Sequence, residues 1–224
     1  MSRGLAKNDQ FLDKWNAYYT KKSAVVRAIE FINERYFSKY FEKAFKNALG
    51  RSVRGLKILE PGCGSGIMSA RLARQGAHVY VLDISKNALD TAEWNFKRFH
   101  TRPEKLVLGD ITKMPLATGS MDVVWNQGVI EHFTDRTIVV REMFRLVKPG
   151  GKIILLVPGY LSPLHWVYMT LSLLGLKRLW PFDDQDFLKK SELRSDLESC
   201  GAKNIRVRRL IGSFGLSLIG YGTK

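Results

Sequence analysis

An open α/β fold, with a mostly parallel sheet covered by helices on both faces, is what this sequence predicts, and three observations predict it. Short apolar runs that read as buried strands alternate with stretches of helical spacing. The first run ends in a glycine-rich turn, ILEPGCGSG from Ile58 to Gly66, and four successive runs finish in polar residues. With 224 residues and 45% apolar content, the chain is long enough for one compact domain of this kind. No internal repeat or low-complexity segment interrupts it.

Residues 1–55 read as a helical segment that closes over a main domain at 56–224. An amphipathic pattern from Val25 to Leu49 turns Val25, Ile29, Ile32, Tyr36, Tyr40 and Phe41 inward and leaves Arg27, Arg35, Lys39, Lys43 and Lys46 for solvent. The first strand then enters its turn. Gly62, Gly64 and Gly66 permit positive φ and let a ligand approach the main chain closely. Met68, Leu72 and Ala73 mark the next stretch, Ile67 to Gln75, as a helix. A dinucleotide fingerprint requires G-x-G-x-x-G at this point. The turn here is G-x-G-x-G, with Glu60 just before it. A carboxylate so placed repels a diphosphate and suits an ammonium or sulfonium group, which favours S-adenosylmethionine over NAD.

The second strand, His78 to Leu82, ends in Asp83. An acid about 20 residues beyond the glycines is positioned for ribose hydroxyls, although Asp is also a favoured cap for a helix beginning near Lys86. The third strand, Lys105 to Leu108, runs into Gly109-Asp110-Ile111, where Asp110 is either a ligand group or a turn with Thr112. The fourth, Met121 to Trp125, ends in Asn126-Gln127, and Ile153 to Val157 form the fifth. Ser191 to Cys200 read as a further helix, and Asn204 to Leu210 and Ser213 to Tyr221 as a closing pair of strands.

The longest uncharged stretch, Ile153 to Leu176, is broken by Pro158, Gly159 and Pro163, leaving about 14 residues of apolar helix, short of the roughly 17 to 25 that span a bilayer. The segment at about 160–182 is therefore expected to be a lid over an apolar acceptor or a point of peripheral membrane contact. Core packing and a dimer contact are the other roles open to it.

Charge is uneven. The chain carries 36 basic and 21 acidic residues, for a net +15, and 13 basic against 5 acidic residues precede Ile58. Such a face either attracts phosphates of RNA or anionic lipid or is simply solvated. The only cysteines, Cys63 and Cys200, support no disulfide framework, and a reducing, cytoplasmic setting is expected. The four histidines are scattered, no metal is expected, and MSRGLAKNDQ does not read as a leader.

Five segments in order, ILEPGCGSG, VYVLDIS, GDITKMPL, MDVVWNQGVIEH and LVKPGGKIILLVP, cover roughly Leu56 to Pro158 and resemble the class I S-adenosylmethionine-dependent methyltransferases. Within them the resemblance is to the type 11, small-molecule group that includes ubiquinone- and menaquinone-pathway C-methyltransferases. It implies a Rossmann-like, seven-stranded sheet whose last strand is antiparallel, with S-adenosylmethionine as cofactor and S-adenosylhomocysteine as product. It also implies that Glu60, Gly62, Cys63 and Gly64 hold the methionine part, that Asp83 takes both ribose hydroxyls, and that Ile84 packs on the adenine. Asp110 would accept from the exocyclic amine, Ile111 would give a main-chain donor, and Asn126 and Gln127 would face the methyl donor. An aromatic from the N-terminal helix often closes such a site, which makes Tyr18 and Tyr19 the candidates.

In-line methyl transfer needs positioning first and a base only for a protonated nucleophile. His132, after Glu131, is the best-placed base, or else a residue that caps or packs at the next helix. The expected acceptor is a small apolar or aromatic molecule. Nucleic acid is a less favoured partner: Asn126-Gln127-Gly128-Val129 lacks the proline and aromatic pattern of amino-base methyltransferases, but an RNA methyltransferase using the basic N-terminal helix stays open. So do a non-catalytic cofactor-binding module and, against the glycine spacing, a dehydrogenase. The oligomeric state, and the choice among C-, O- and N-methylation, are not readable from the sequence.

Overall fold

The computed structural model describes Asp13, Trp15, Asn16 and residues 37–160, 162–176, 186–211 and 217–224. Helix α1 (Ser38–Leu49) is followed by β1 (Lys57–Pro61), α2 (Ile67–Arg74), β2 (His78–Asp83), α3 (Lys86–Arg98), β3 (Lys105–Leu108) and β4 (Met121–Gln127). A single 3-10 turn, Ile130–His132, leads to α4 (Arg136–Leu146), β5 (Val147–Pro158), α5 (Pro163–Leu173), α6 (Lys190–Ser199), β6 (Lys203–Leu210) and β7 (Ser217–Thr223). The strands form one sheet in the order β3-β2-β1-β4-β5-β7-β6. β1 to β5 pair in parallel, and β7 runs antiparallel to both β5 and β6.

Period-2 alternation splits the strands' apolar side chains between two cores. On one face Ile58, Val79, Val123, Trp125 and Ile154 meet α1, α2 and α3, with Phe45 edge-on to Trp125 at 5.3 Å between centroids. On the other, Leu59, Leu82, Val124, Leu155 and Leu218 meet Val139, Val140 and Met143 of α4 and Leu193 and Leu197 of α6. α1 precedes residue 56 yet shares the first core. Its C-terminal carbonyls at Ala48 and Leu49 each accept from Lys152 Nζ at 2.8 Å, a cation placed where a helix C-terminus favours one.

Three elements differ from the sequence reading. β4 continues through Asn126 and Gln127, which pair with Leu155 and Leu156. β5 begins at Val147 rather than Ile153, because Met121 already pairs with Val147 before the Pro149-Gly150-Gly151 stretch. The cap of α3 is Ser85, whose hydroxyl accepts from Ala88 N at 3.3 Å, so Asp83 is not the capping residue. The inward-facing residues proposed at 25–36, and residues 213–216 of the expected last strand, lie outside the described residues.

The strand order reverses between β1 and β4. In an open α/β sheet that reversal opens a crevice beyond the strands' carboxyl ends, where ligands bind.

Candidate functional site

The glycine turn hangs from the end of β2. Gly62 N and Cys63 N both donate to Leu82 O, at 2.7 and 3.0 Å, Gly64 N donates to Asp83 Oδ2 at 2.9 Å, and Gly66 N donates to Cys63 O at 2.8 Å. Gly62 and Gly66 have φ of 70° and 61°. A Cβ on Gly62 would stand 2.8 Å from Val129, and one on Gly66 2.8 Å from Ala92, so glycine is needed for both conformation and space. Asn95 Nδ2, reaching from α3, donates to Ser65 O at 2.8 Å and pins the turn.

Four of the five amide donors from Gly62 to Gly66 are thus turned inward. A phosphate cradle works by pointing such donors at an anion, and this loop does the opposite. The dinucleotide alternative loses its physical basis here.

Glu60 sharpens that reading. It lies at the end of β1, is 5% exposed, and its Oε2 has no hydrogen-bond partner among the described residues. Burial, with the charge of Asp83 adding to it and the Ser69 hydroxyl opposing, pushes its carboxyl up to about 8. Burial likewise raises Asp83, whose Oδ1 accepts from Ser85 N at 2.9 Å. Each oxygen of Asp83 takes one backbone N–H and retains further acceptor capacity. Cys63 is buried between them, and burial followed by the charges of Asp83 and Glu60 holds its thiol well above the ordinary range, which removes it as a nucleophile.

The other expected residues are distributed around this centre. Ile84 is half-buried directly after β2, and Ile111 is buried. Asp110 Oδ1 accepts from both Thr112 N, at 2.7 Å, and Thr112 Oγ1, at 2.8 Å, so the turn read beside its ligand role is present. Gln127 is half-buried at the end of β4.

Asn126 is fully buried, and its Nδ2 lies 3.3 Å from Met143 Sδ, while its Oδ1 has no partner among the described residues. Side chains alternate along a strand, so Asn126 shares a sheet face with Val124, and Gln127 takes the other.

His132 ends the 3-10 turn after β4 and packs edge-on against Trp15, 5.3 Å between centroids. Asn16, the next residue, accepts from Ser85 Oγ at 2.6 Å through Oδ1, and Asn87 Nδ2 lies 3.5 Å from its carbonyl. Trp15 and Asn16 thereby join the β2–α3 connection to the turn after β4, the two banks of the crevice. The sequence reading placed its bet on Tyr18 and Tyr19, which lie outside the described residues. The signal for their neighbours was present in Trp15-Asn16, an aromatic followed by a side chain able to bond backbone and hydroxyl groups alike.

Beyond β5 an aromatic wall forms. His165 at the start of α5 contacts Tyr160 and Phe187, at 4.5 and 4.8 Å between centroids, and burial lowers the pKa of its imidazole. Asp186 N donates to Glu131 O at 3.2 Å, tying this wall to the turn that carries His132. Among the described residues no group of three or more His, Cys, Asp or Glu is arranged to hold a metal ion.

A family model described as a methyltransferase domain matches residues 59–155. A ubiquinone biosynthesis O-methyltransferase of Acinetobacter baylyi is 27% identical over 160 residues, spanning 67% of this chain and 65% of that protein. A malonyl-[acyl-carrier protein] O-methyltransferase of Serratia marcescens is 31% identical over 106 residues, 47% of this chain and 40% of that one. The chain thus spans just under two thirds of the curated ubiquinone relatives it matches. Among solved structures, a magnesium protoporphyrin IX methyltransferase of Synechocystis with bound S-adenosylhomocysteine aligns with a TM-score of 0.67 at 22% identity, covering 97% of this chain and 95% of that one. A phosphoethanolamine N-methyltransferase of Haemonchus contortus with S-adenosylmethionine aligns at 0.68 and 16% identity, covering 94% of this chain and 60% of the other. At such identities the two structures establish a shared fold.

Proposed function

We propose, on the premise that this chain belongs to the class I S-adenosylmethionine-dependent methyltransferases, that it moves a methyl group from S-adenosylmethionine to a small apolar or aromatic acceptor. The observation that carries the cofactor assignment is Glu60. A buried carboxyl with an unpartnered oxygen, beside a loop whose amides point inward, is a site for a cation. The cofactor's methionine part carries an ammonium and a sulfonium.

When bound, the cofactor supplies an electrophilic methyl group, so geometry carries most of the catalysis and well-oriented reactants gain about 7 to 11 kcal/mol. The chain's own groups do the holding. Glu60 ionises against the ammonium, Asp83 offers its remaining lone pairs to the ribose hydroxyls, and Gly62, Cys63 and Gly64 give main-chain contact without side-chain bulk. Ile84 packs on the adenine, with Asp110 and Ile111 at its edge. Asn126 and Gln127, at the end of β4, stand toward the reacting end. Trp15 and Asn16 cross the mouth and exclude water. His132, on the same turn, takes the proton of an acceptor that attacks from a protonated state.

The aromatic wall of Tyr160, His165 and Phe187 suits an apolar acceptor. Relatives named for ubiquinone biosynthesis, and a structural neighbour named for magnesium protoporphyrin IX, support the same acceptor class. Thermal melting tests the cofactor assignment. S-adenosylhomocysteine at 100 times its dissociation constant should stabilise by about 2.7 kcal/mol, with NAD giving nothing; protection by NAD alone would overturn it.

A further inference from the structure

The outer face of helix α5, away from His165, is a feature the proposed chemistry leaves unused. Trp166, Val167, Met169 and Leu173 are 60, 51, 40 and 83% exposed, and Leu174 at its cap is 66% exposed. At 100° per residue these side chains cover an arc of about 160°. The helix is anchored from its opposite side, where His165 is buried and Tyr168 and Leu171 are half-buried. Ile211, 82% exposed just past β6, adds to the apolar surface at the same end of the sheet, because Leu210 and Pro158 both pair with Ser217. Isolated exposed hydrophobics need no explanation, but a contiguous arc of this kind marks an interaction surface.

Its surroundings say what it meets. No Asp, Glu, Lys or Arg occurs from Ile153 to Leu176, and the sequence then continues with Lys177 and Arg178. Cations stand at the margin. Arg209 donates to Tyr160 O at 2.8 Å, Lys189 Nζ lies 5.1 Å from the centroid of the Tyr160 ring, and Lys190 is exposed. β6 carries Lys203, Arg206, Arg208 and Arg209 and no acid. Among the described residues the nearby acids are engaged, Glu192 accepting from Lys189 N at 2.6 Å and Asp186 lying 4.0 Å from Arg136; the sequence between α5 and Asp186 carries Asp183 and Asp184 as well as Lys177 and Arg178. Two copies of a chain of net +15 would bring like-charged rims together. An apolar arc with a basic margin is complementary to an anionic lipid surface.

We propose that α5, with Ile211 and the basic margin of Lys189, Lys190 and Arg209, docks this protein on an anionic bilayer. The helix lies in the interface with its apolar arc among the acyl chains and the cations at headgroup level. Among the described residues no helix is long and apolar enough to cross a membrane, so the contact is peripheral. Because α5 follows the carboxyl end of β5, docking turns the crevice toward the lipid, where an apolar acceptor would dissolve. This last clause rests on the methyltransferase reading; the docking itself does not.

Co-sedimentation of the full chain with vesicles of phosphatidylcholine containing about 30% phosphatidylglycerol, and with pure phosphatidylcholine, tests the proposal. Binding to the anionic vesicles should exceed binding to neutral ones by at least about tenfold and weaken with salt. Trp166→Glu with Leu173→Glu should abolish it, and Lys189→Glu with Lys190→Glu should reduce it at least about tenfold. S-adenosylhomocysteine should protect all variants against melting equally, so that folding and the cofactor site are read separately. Equal binding by the variants, or none above neutral vesicles, overturns the proposal. A concentration-dependent dimer that the apolar substitutions dissolve, without vesicle binding, would overturn it in favour of self-association.

Discussion

Glu60 couples stability and ligand binding through one proton. Its ordinary carboxyl value is 4.5 and its folded value about 8. Between these pH values the folded chain keeps a proton that the unfolded chain has released, so the stability this group contributes is lost as pH rises from about 4.5 to about 8. Glu60→Gln removes the charge that must be buried, and its melting temperature should exceed that of the parent at pH 8 while matching it near pH 5. A cationic ligand reverses the preference by favouring the carboxylate. Titration calorimetry with S-adenosylhomocysteine should therefore show affinity rising from pH 6 to 8 with proton release at pH 7; Glu60→Gln should show neither and bind at least about tenfold more weakly. A flat pH profile in the parent would separate Glu60 from the ligand. Asn126 is a second case at the same scale: it is fully buried with its Oδ1 unpartnered among the described residues, and period-2 alternation counted from Val124, readable in the sequence, gives its sheet face.

The glycine turn separates two costs that a sequence pattern merges. Gly62→Ala incurs both the left-handed backbone penalty and a 2.8 Å approach to Val129, whereas Gly55, at φ 74°, has nothing within 4 Å of its Cβ position. Gly55→Ala should thus cost only the conformational part, about 1–2 kcal/mol, and Gly62→Ala measurably more in the same denaturant titration. Adding Val129→Ala should recover the excess of the Gly62 variant but not the conformational part. Equal losses at the two glycines would mean that Val129 yields freely. The same scale shows what was legible. Strand–turn–helix order, the glycines and the acids after β1 and β2 could be read because periodicity and turn chemistry are local. The early start of β5 could not, since it depends on Met121 pairing with Val147 across the sheet. Nor could the inward turn of the loop amides, which depends on Leu82 O and Asp83 of the neighbouring strand. The bridge made by Trp15 and Asn16 depends on Ser85 and His132, far along the chain.

Across the whole molecule, fewer of the 36 basic side chains are available to a polyanion than their number suggests. Lys46 and Arg71 both pair with Glu42, and Lys148 pairs with Asp122. Lys152 and Lys224 donate to main-chain carbonyls at Ala48, Leu49, Phe144 and Arg145. These cations close helix ends and join elements, so they are spent on the fold before a phosphate backbone arrives. A protein making 6–10 phosphate contacts loses about 10³ to 10⁵ in affinity between about 50 and 200 mM salt, whereas a small acceptor held in an apolar crevice is nearly indifferent to that change. Incubation with methyl-labelled S-adenosylmethionine and a source-cell extract, then partition into organic, small aqueous, RNA and protein fractions, reads out the difference. The label should enter the organic or small aqueous fraction, resist RNase, and change by less than about twofold in yield over that salt range once the extract's lipids are dispersed in detergent. RNase-sensitive label with a steep salt dependence would instead make the basic N-terminal segment the substrate platform and the acceptor a nucleic acid.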